Sequence, residues 1–126
     1  MMRRLGVILG AAFFVAAFAL IGSKRFTRVA VSGHSMEPGL RAGDWLIVDR
    51  RLLARSSGEV VVARDPRARG RLIVKRVCEV TPDDELVLTS DHPAHASDRI
   101  GPVAPVDVVG SVVFRYWPLS RTGRVA

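Results

Sequence analysis

Two short stretches hold residues whose types and spacing could do chemistry. In Leu72-Ile73-Val74-Lys75-Arg76-Val77 a repeat of two puts Ile73, Lys75 and Val77 on one face of a strand and Leu72, Val74 and Arg76 on the other. Lys75 therefore sits between two β-branched apolar neighbours. A lysine withdrawn from water loses its proton more readily, which would leave a neutral amine able to accept a proton near neutral pH. Of the 19 basic residues only Lys24 and Lys75 are lysines; elsewhere the chain uses arginine, which cannot act as a base. The same pattern also fits a lysine that reaches solvent over its apolar neighbours. The second stretch is Val31-Ser32-Gly33-His34-Ser35-Met36-Glu37-Pro38-Gly39, where a β-rich run breaks at Gly33 and the chain turns at Pro38-Gly39. A serine at such a strand exit can expose its hydroxyl while nearby backbone N–H groups point at the same space, as a nucleophile and its oxyanion require. A serine that simply forms the turn fits equally.

Other constellations are weaker. Ser35 with His34, His92 or His95 and with Asp91 or Asp98 has the residue types of a Ser-His-Asp triad, but in an extended segment the side chain of His34 would point away from that of its neighbour Ser35. His92-x-x-His95 with Asp91 has metal-ligand residue types, yet Pro93 argues against a helix and the surroundings read as a polar solvated loop. A net charge of +7 with arginines from Arg64 to Arg76 would suit nucleic acid. No aromatic residue lies among those arginines to stack on bases, and a solvated or lipid-facing surface suits them better.

The elements that must position these residues are short strands. With 126 residues the chain has room for one domain, and 48% apolar residues give it a core. Its single cysteine, Cys78, excludes an internal disulfide framework and a Cys-rich zinc site. Turn signals recur at Pro38-Gly39, Gly43-Asp44, Ser57-Gly58, Asp65-Pro66 with Gly70, Pro82-Asp83-Asp84 and Gly101-Pro102. Between them, β-rich runs predict strands over 28–31, 45–49, 59–64, 72–79, 85–89 and 108–116. No soluble segment shows a long 3.6-residue period. The expectation is an all-β fold, a small coiled antiparallel β domain over residues 25–126.

Residues 1–24 are expected to form an N-terminal membrane anchor. Leu5 to Ile21 is 17 residues without a charge, flanked by Arg3 and Arg4 and by Lys24, Arg25 and Arg28. As a helix it would cover roughly 26 Å against a hydrocarbon core of about 30 Å, so flanking side chains would reach outward. Ala17-Phe18-Ala19 has the small-x-small pattern of a cleaved signal peptide, but the apolar run continues past it into a basic cluster, which favours an uncleaved single-span transmembrane helix. The flanking charges oppose one another and leave the orientation open.

Taken in order, the motifs resemble the signal peptidase I family of serine endopeptidases, which pair a nucleophilic serine with a lysine base. The resemblance runs through the apolar segment, Ser32-Gly33-His34-Ser35-Met36-Glu37-Pro38 followed by Leu40, Gly43-Asp44, Gly58-Glu59-Val60-Val61-Val62, Val74-Lys75-Arg76-Val77, and Asp91 through Ser97-Asp98-Arg99 to Gly101-Pro102-Val103. It implies that Ser35 attacks the scissile carbonyl with Lys75 as base, without a histidine, metal or cofactor. It further implies a precursor polypeptide bound as an added strand with small side chains before the cut, and a cell-membrane protein whose catalytic domain lies on the extracytoplasmic side against lipid, with no nucleic-acid partner. The function expected is removal of N-terminal signal or leader peptides.

The chain departs from that pattern in two places. Some members carry an oxyanion-donating serine two residues before the nucleophile; here that residue is Gly33, and Ser32 is one place too early, so the hole is expected to use the Ser35 backbone N–H plus a neighbouring donor. The late block is one residue short, with Ser90-Asp91-His92 and then Ala96-Ser97-Asp98-Arg99. Ser97 is taken to orient Lys75, Asp98 and Arg99 to hold the loop, and Met36 to pack beside the site. The short length and the ending Phe114-Arg115-Tyr116-Trp117-Pro118 also resemble a compact branch, the nickel-type superoxide dismutase maturation proteases. A self-cleaving repressor domain shares the serine-lysine chemistry but accompanies a DNA-reading helical domain, where this chain has an apolar segment. An anchored scaffold in which Ser35 and Lys75 never meet is the non-enzymatic alternative.

Overall fold

The computed structural model describes residues 25–51, 56–68 and 70–125. Their strands are β1 (Phe26–Ala30), β2 (Trp45–Asp49), β3 (Val60–Arg64), β4 (Leu72–Val80), β5 (Leu86–Thr89), β6 (Arg99–Val103) and β7 (Val108–Trp117). The only helical pieces among the described residues are two single 3₁₀ turns, Pro105–Asp107 and Leu119–Arg121. All seven strands join one antiparallel sheet in the order β1-β2-β7-β3-β4-β5-β6. The expected all-β antiparallel domain is thus the observed one. No helix of the described residues is long and apolar enough to cross a membrane, and the expected anchor, residues 1–24, lies outside the described residues.

The valine run of β3 explains how a single sheet makes a core. Val60, Val61, Val62 and Ala63 are all buried, so β3 must be covered on both faces. Val61 and Ala63 pack with Ile73, Val77, Leu86, Leu88, Ile100 and Val103. Val60 and Val62 pack with Val31, Met36, Leu40, Leu46, Val48 and Val112. The β5–β6 end of the sheet therefore curls over one face, and the β1–β2 end with its following turn curls over the other. Register shifts in the β2–β7, β3–β7, β4–β5 and β5–β6 pairs supply the local bends.

Strand β6 was not among the strands predicted, because Gly101-Pro102 reads as a turn. It forms at the end of the sheet, where proline costs no ladder hydrogen bond on the outer edge. Gly101 has φ +111°, and a Cβ there would meet Leu86 O and Val103 N at 2.8 Å, so glycine allows the close approach to β5.

Candidate active site

Strand β4 sets one half of the site. Its buried residues alternate, with Ile73, Lys75 and Val77 withdrawn from solvent, as the period of two predicted. Lys75 is 8% exposed and does not snorkel. It lies opposite Val61 on β3, at the edge of the cluster that Ile73 and Val77 enter. The other half comes from the segment between β1 and β2. Val31 N–H donates to Asp44 O and Gly43 N–H to Val31 O, closing a loop over residues 32–42. Gly33 takes φ +79°, and two turns follow in which Glu37 N–H donates to His34 O and Leu40 N–H to Met36 O. Met36 and Leu40, each 2% exposed, pin this loop to the core, and Ser35 is carried with them.

These halves meet. Lys75 Nζ is 2.7 Å from Ser35 Oγ and 2.9 Å from Ser90 Oγ. The amine thus lies between two hydroxyls with no carboxylate bonded to it. As an ammonium it donates to both; as a neutral amine it offers Ser35 a lone pair to receive the hydroxyl proton. Burial, above all, holds its pKa below the ordinary lysine value of 10.5. Repulsion from Arg67 and Arg71 pushes in the same direction, partly offset by Asp65 and Asp98. The Ser35 N–H donates to no acceptor among the described residues, while its carbonyl accepts from His92 N–H at 2.8 Å.

The hydroxyl beside Lys75 belongs to Ser90, which corrects the expectation for Ser97. Register explains the difference: Arg76 on β4 lies opposite Thr89 on β5, so the residue after Thr89 falls beside Lys75. Ser90 is 5% exposed, whereas Ser97 is exposed eight residues into sequence beyond Thr89. The next pair in this double contact is Arg76 with Asp91, Nε to Oδ1 and Nη2 to Oδ2 both at 2.8 Å. Lys75-Arg76 therefore grips Ser90-Asp91 residue by residue. The spacing of those two dipeptides across a hairpin is the signal that could have found Ser90. Asp98 and Arg99 lie exposed on the loop and at the start of β6. Asp98 N–H donates to His95 O, and the carboxylate is 3.5 Å from His95 Nδ1; Arg99 is 4.0 Å from Glu79.

The histidines are occupied elsewhere. His34 lies in a turn rather than in an extended run, and its Nδ1 is 2.6 Å from Glu37 Oε1. His92 Nδ1 accepts from Ala94 N–H. Among the described residues no three His, Cys, Asp or Glu side chains converge as a metal-ligand set.

One network was not read from the sequence. Asp44, 2% exposed, receives Arg121 at 3.0 and 3.1 Å and Arg115 at 3.3 Å, and the same two arginines donate to Gly39 O at 3.0 and 2.7 Å. The C-terminal segment thereby clamps the loop that carries Ser35.

A cleft of about 410 Å³ opens at Ser35 and Lys75, walled by residues 28–32 on one side and 71–75 on the other. Because β1 ends the sheet, its outer edge has no strand partner among the described residues, and such an edge can accept an extended peptide.

A serine hydroxyl set against a buried amine beside a cleft, in an all-β domain, is an arrangement that a serine peptidase can use. The chain belongs to the Peptidase S24-like family, whose family model matches residues 11–113. That is a family of serine-lysine peptidases related to signal peptidase I. No curated protein and no solved structure matches this chain.

Proposed function

We propose that the chain is a membrane-anchored endopeptidase that removes N-terminal signal or leader peptides, with Ser35 as nucleophile and Lys75 as general base. The observation that carries this reading is the 2.7 Å contact between Lys75 Nζ and Ser35 Oγ, backed by Ser90 at 2.9 Å. Neutral Lys75 takes the hydroxyl proton as Ser35 Oγ bonds to the scissile carbonyl carbon. The Ser35 N–H, with no acceptor among the described residues, is available to the developing oxyanion. The resulting ammonium protonates the leaving amine as the C–N bond breaks, leaving an acyl-enzyme. Lys75 then deprotonates a water that attacks the ester, and the returned proton restores Ser35. These steps use no metal or cofactor.

The substrate is an extended precursor polypeptide laid along the open edge of β1. The apolar segment from Leu5 to Ile21 supports an anchor in the cell membrane; by the resemblance to signal peptidase I, the catalytic domain lies on the extracytoplasmic side against lipid. The stretch Phe114–Pro118 resembles the nickel-type superoxide dismutase maturation proteases, so maturation of such a precursor is the second reading. The test is to incubate candidate precursors with the full-length chain and with its Ser35→Ala variant and to sequence the new N-termini. Cleavage at one bond by the wild type alone is expected; equal products from both proteins would refute the assignment of Ser35.

A further inference from the structure

The arginines at the tip of the β3–β4 hairpin play no part in the proton transfers, yet they face the same cleft. Arg67 and Arg71 line it together with Arg28 and Lys75, and the lining includes no carboxylate. Arg67 is held in a fixed pose by Asp65, which is 5% exposed. Asp65 Oδ1 accepts from Arg67 N–H at 2.8 Å and from Nε at 3.0 Å, and Oδ2 accepts from Nη2 at 3.2 Å. Asp65 is thus committed to Arg67. Arg71, exposed four residues before Lys75, has no hydrogen bond or ion pair from its guanidinium among the described residues. Both arginines repel the Lys75 ammonium, so their positive field reaches the reacting groups.

We propose that this cleft selects peptides bearing an acidic side chain roughly four residues from the scissile bond, received by Arg71 and Arg67. The proposal rests on the peptidase reading and names its substrate class. The distance follows from the strand: Arg71 and Lys75 are four residues apart along extended backbone, about 13 Å. A peptide running alongside has the same rise, so the side chain beside Arg71 is about four residues from the bond at Ser35. A peptide suits the cleft better than a polynucleotide does. Val29, Val31 and Val74 share its lining with the arginines, and the open edge of β1 offers hydrogen bonds that a peptide backbone can complete.

The test uses the purified full-length chain and short fluorogenic peptides with small residues before the cut, carrying Glu or Gln at each position in turn. Wild type should prefer Glu at one position by about ten-fold in kcat/KM. Arg71→Gln should bring that ratio close to one, and Arg71→Glu should favour the peptide with Lys at the same position. Comparing ratios cancels whatever Arg71 does to Lys75 itself. Binding of the same peptides to Ser35→Ala, read by fluorescence anisotropy, separates recognition from chemistry. Equal binding of Glu and Gln peptides at every position overturns the proposal, even where wild type cleaves them. Glu-selective, Arg71-dependent binding without any cleavage upholds the acidic recognition and overturns the peptidase reading instead. An oligonucleotide that displaces the Glu peptide through Arg71 at lower concentration than the free peptide does would mark a nucleic-acid surface and also overturn it.

Discussion

Ser90→Ala is the perturbation that tests the geometry of the site most directly. Among the described residues Lys75 Nζ is bonded to Ser35 and Ser90, and removing the second leaves an amine free to rotate off the line to Ser35 Oγ. Ser90 is 5% exposed, so bulk water does not readily take its place. A hydrogen bond of this kind contributes about 1 to 3 kcal/mol, which corresponds to roughly 5- to 150-fold in rate. The expectation is a fall in kcat/KM of about ten- to a hundred-fold in a peptide-cleavage assay, carried by kcat rather than KM. Ser90→Thr, which retains a hydroxyl, should recover much of the loss. The ammonium also loses an acceptor in Ser90→Ala, so the acid limb of the pH profile should move to lower pH while its plateau drops. Ser97→Ala, at an exposed position, should cleave like wild type. Full activity in Ser90→Ala together with loss in Ser97→Ala would refute the reasoning.

Further predictions follow from the same contacts. Lys75→Arg should abolish cleavage with the fold retained by circular dichroism, because arginine stays protonated. Since burial lowers the Lys75 pKa, the unfolded chain binds more protons than the folded one between the lowered value and 10.5. Stability should therefore rise with pH across that window, and Lys75→Met should be more stable than wild type at neutral pH, with the gap closing towards pH 10.5 in denaturant titrations. Asp98 raises the Lys75 pKa, so Asp98→Asn should shift the acid limb of activity to lower pH, most visibly at low salt. Arg121→Ala removes two bonds to buried Asp44 and one to Gly39 O; with Arg115 still in place, thermal unfolding should report a loss of about 1 to 3 kcal/mol. A variant with His34, His92 and His95 all changed to Ala should still cleave, and loss of cleavage in a folded triple variant would revive a histidine mechanism.

What the sequence by itself determined is what local pattern encodes. Alternation along 72–77 puts Lys75 on the same face as Ile73 and Val77, because side chains of a strand take opposite faces in turn; that its amine stays buried rather than reaching solvent was decided by the fold. The turn residues around Ser35 and the β-rich runs place five of the predicted strands and most of a sixth close to where they lie. Only the tertiary structure decided which groups meet. Ser35 and Lys75 are 40 residues apart, and their contact depends on Met36 and Leu40 entering a core built from β1, β2, β3 and β7. Ser90 rather than Ser97 reaches the amine because β4 and β5 pair in one register, and cross-strand register is set by distant packing, not by nearby residues. Strand β6 was hidden for a related reason: Gly101-Pro102 reads locally as a turn, and only the exposed end of a sheet accommodates it as strand. The clamp of Arg115 and Arg121 on Asp44 spans more than 70 positions. In a chain this rich in arginine, composition alone cannot separate the arginines that hold the loop from those that face the cleft.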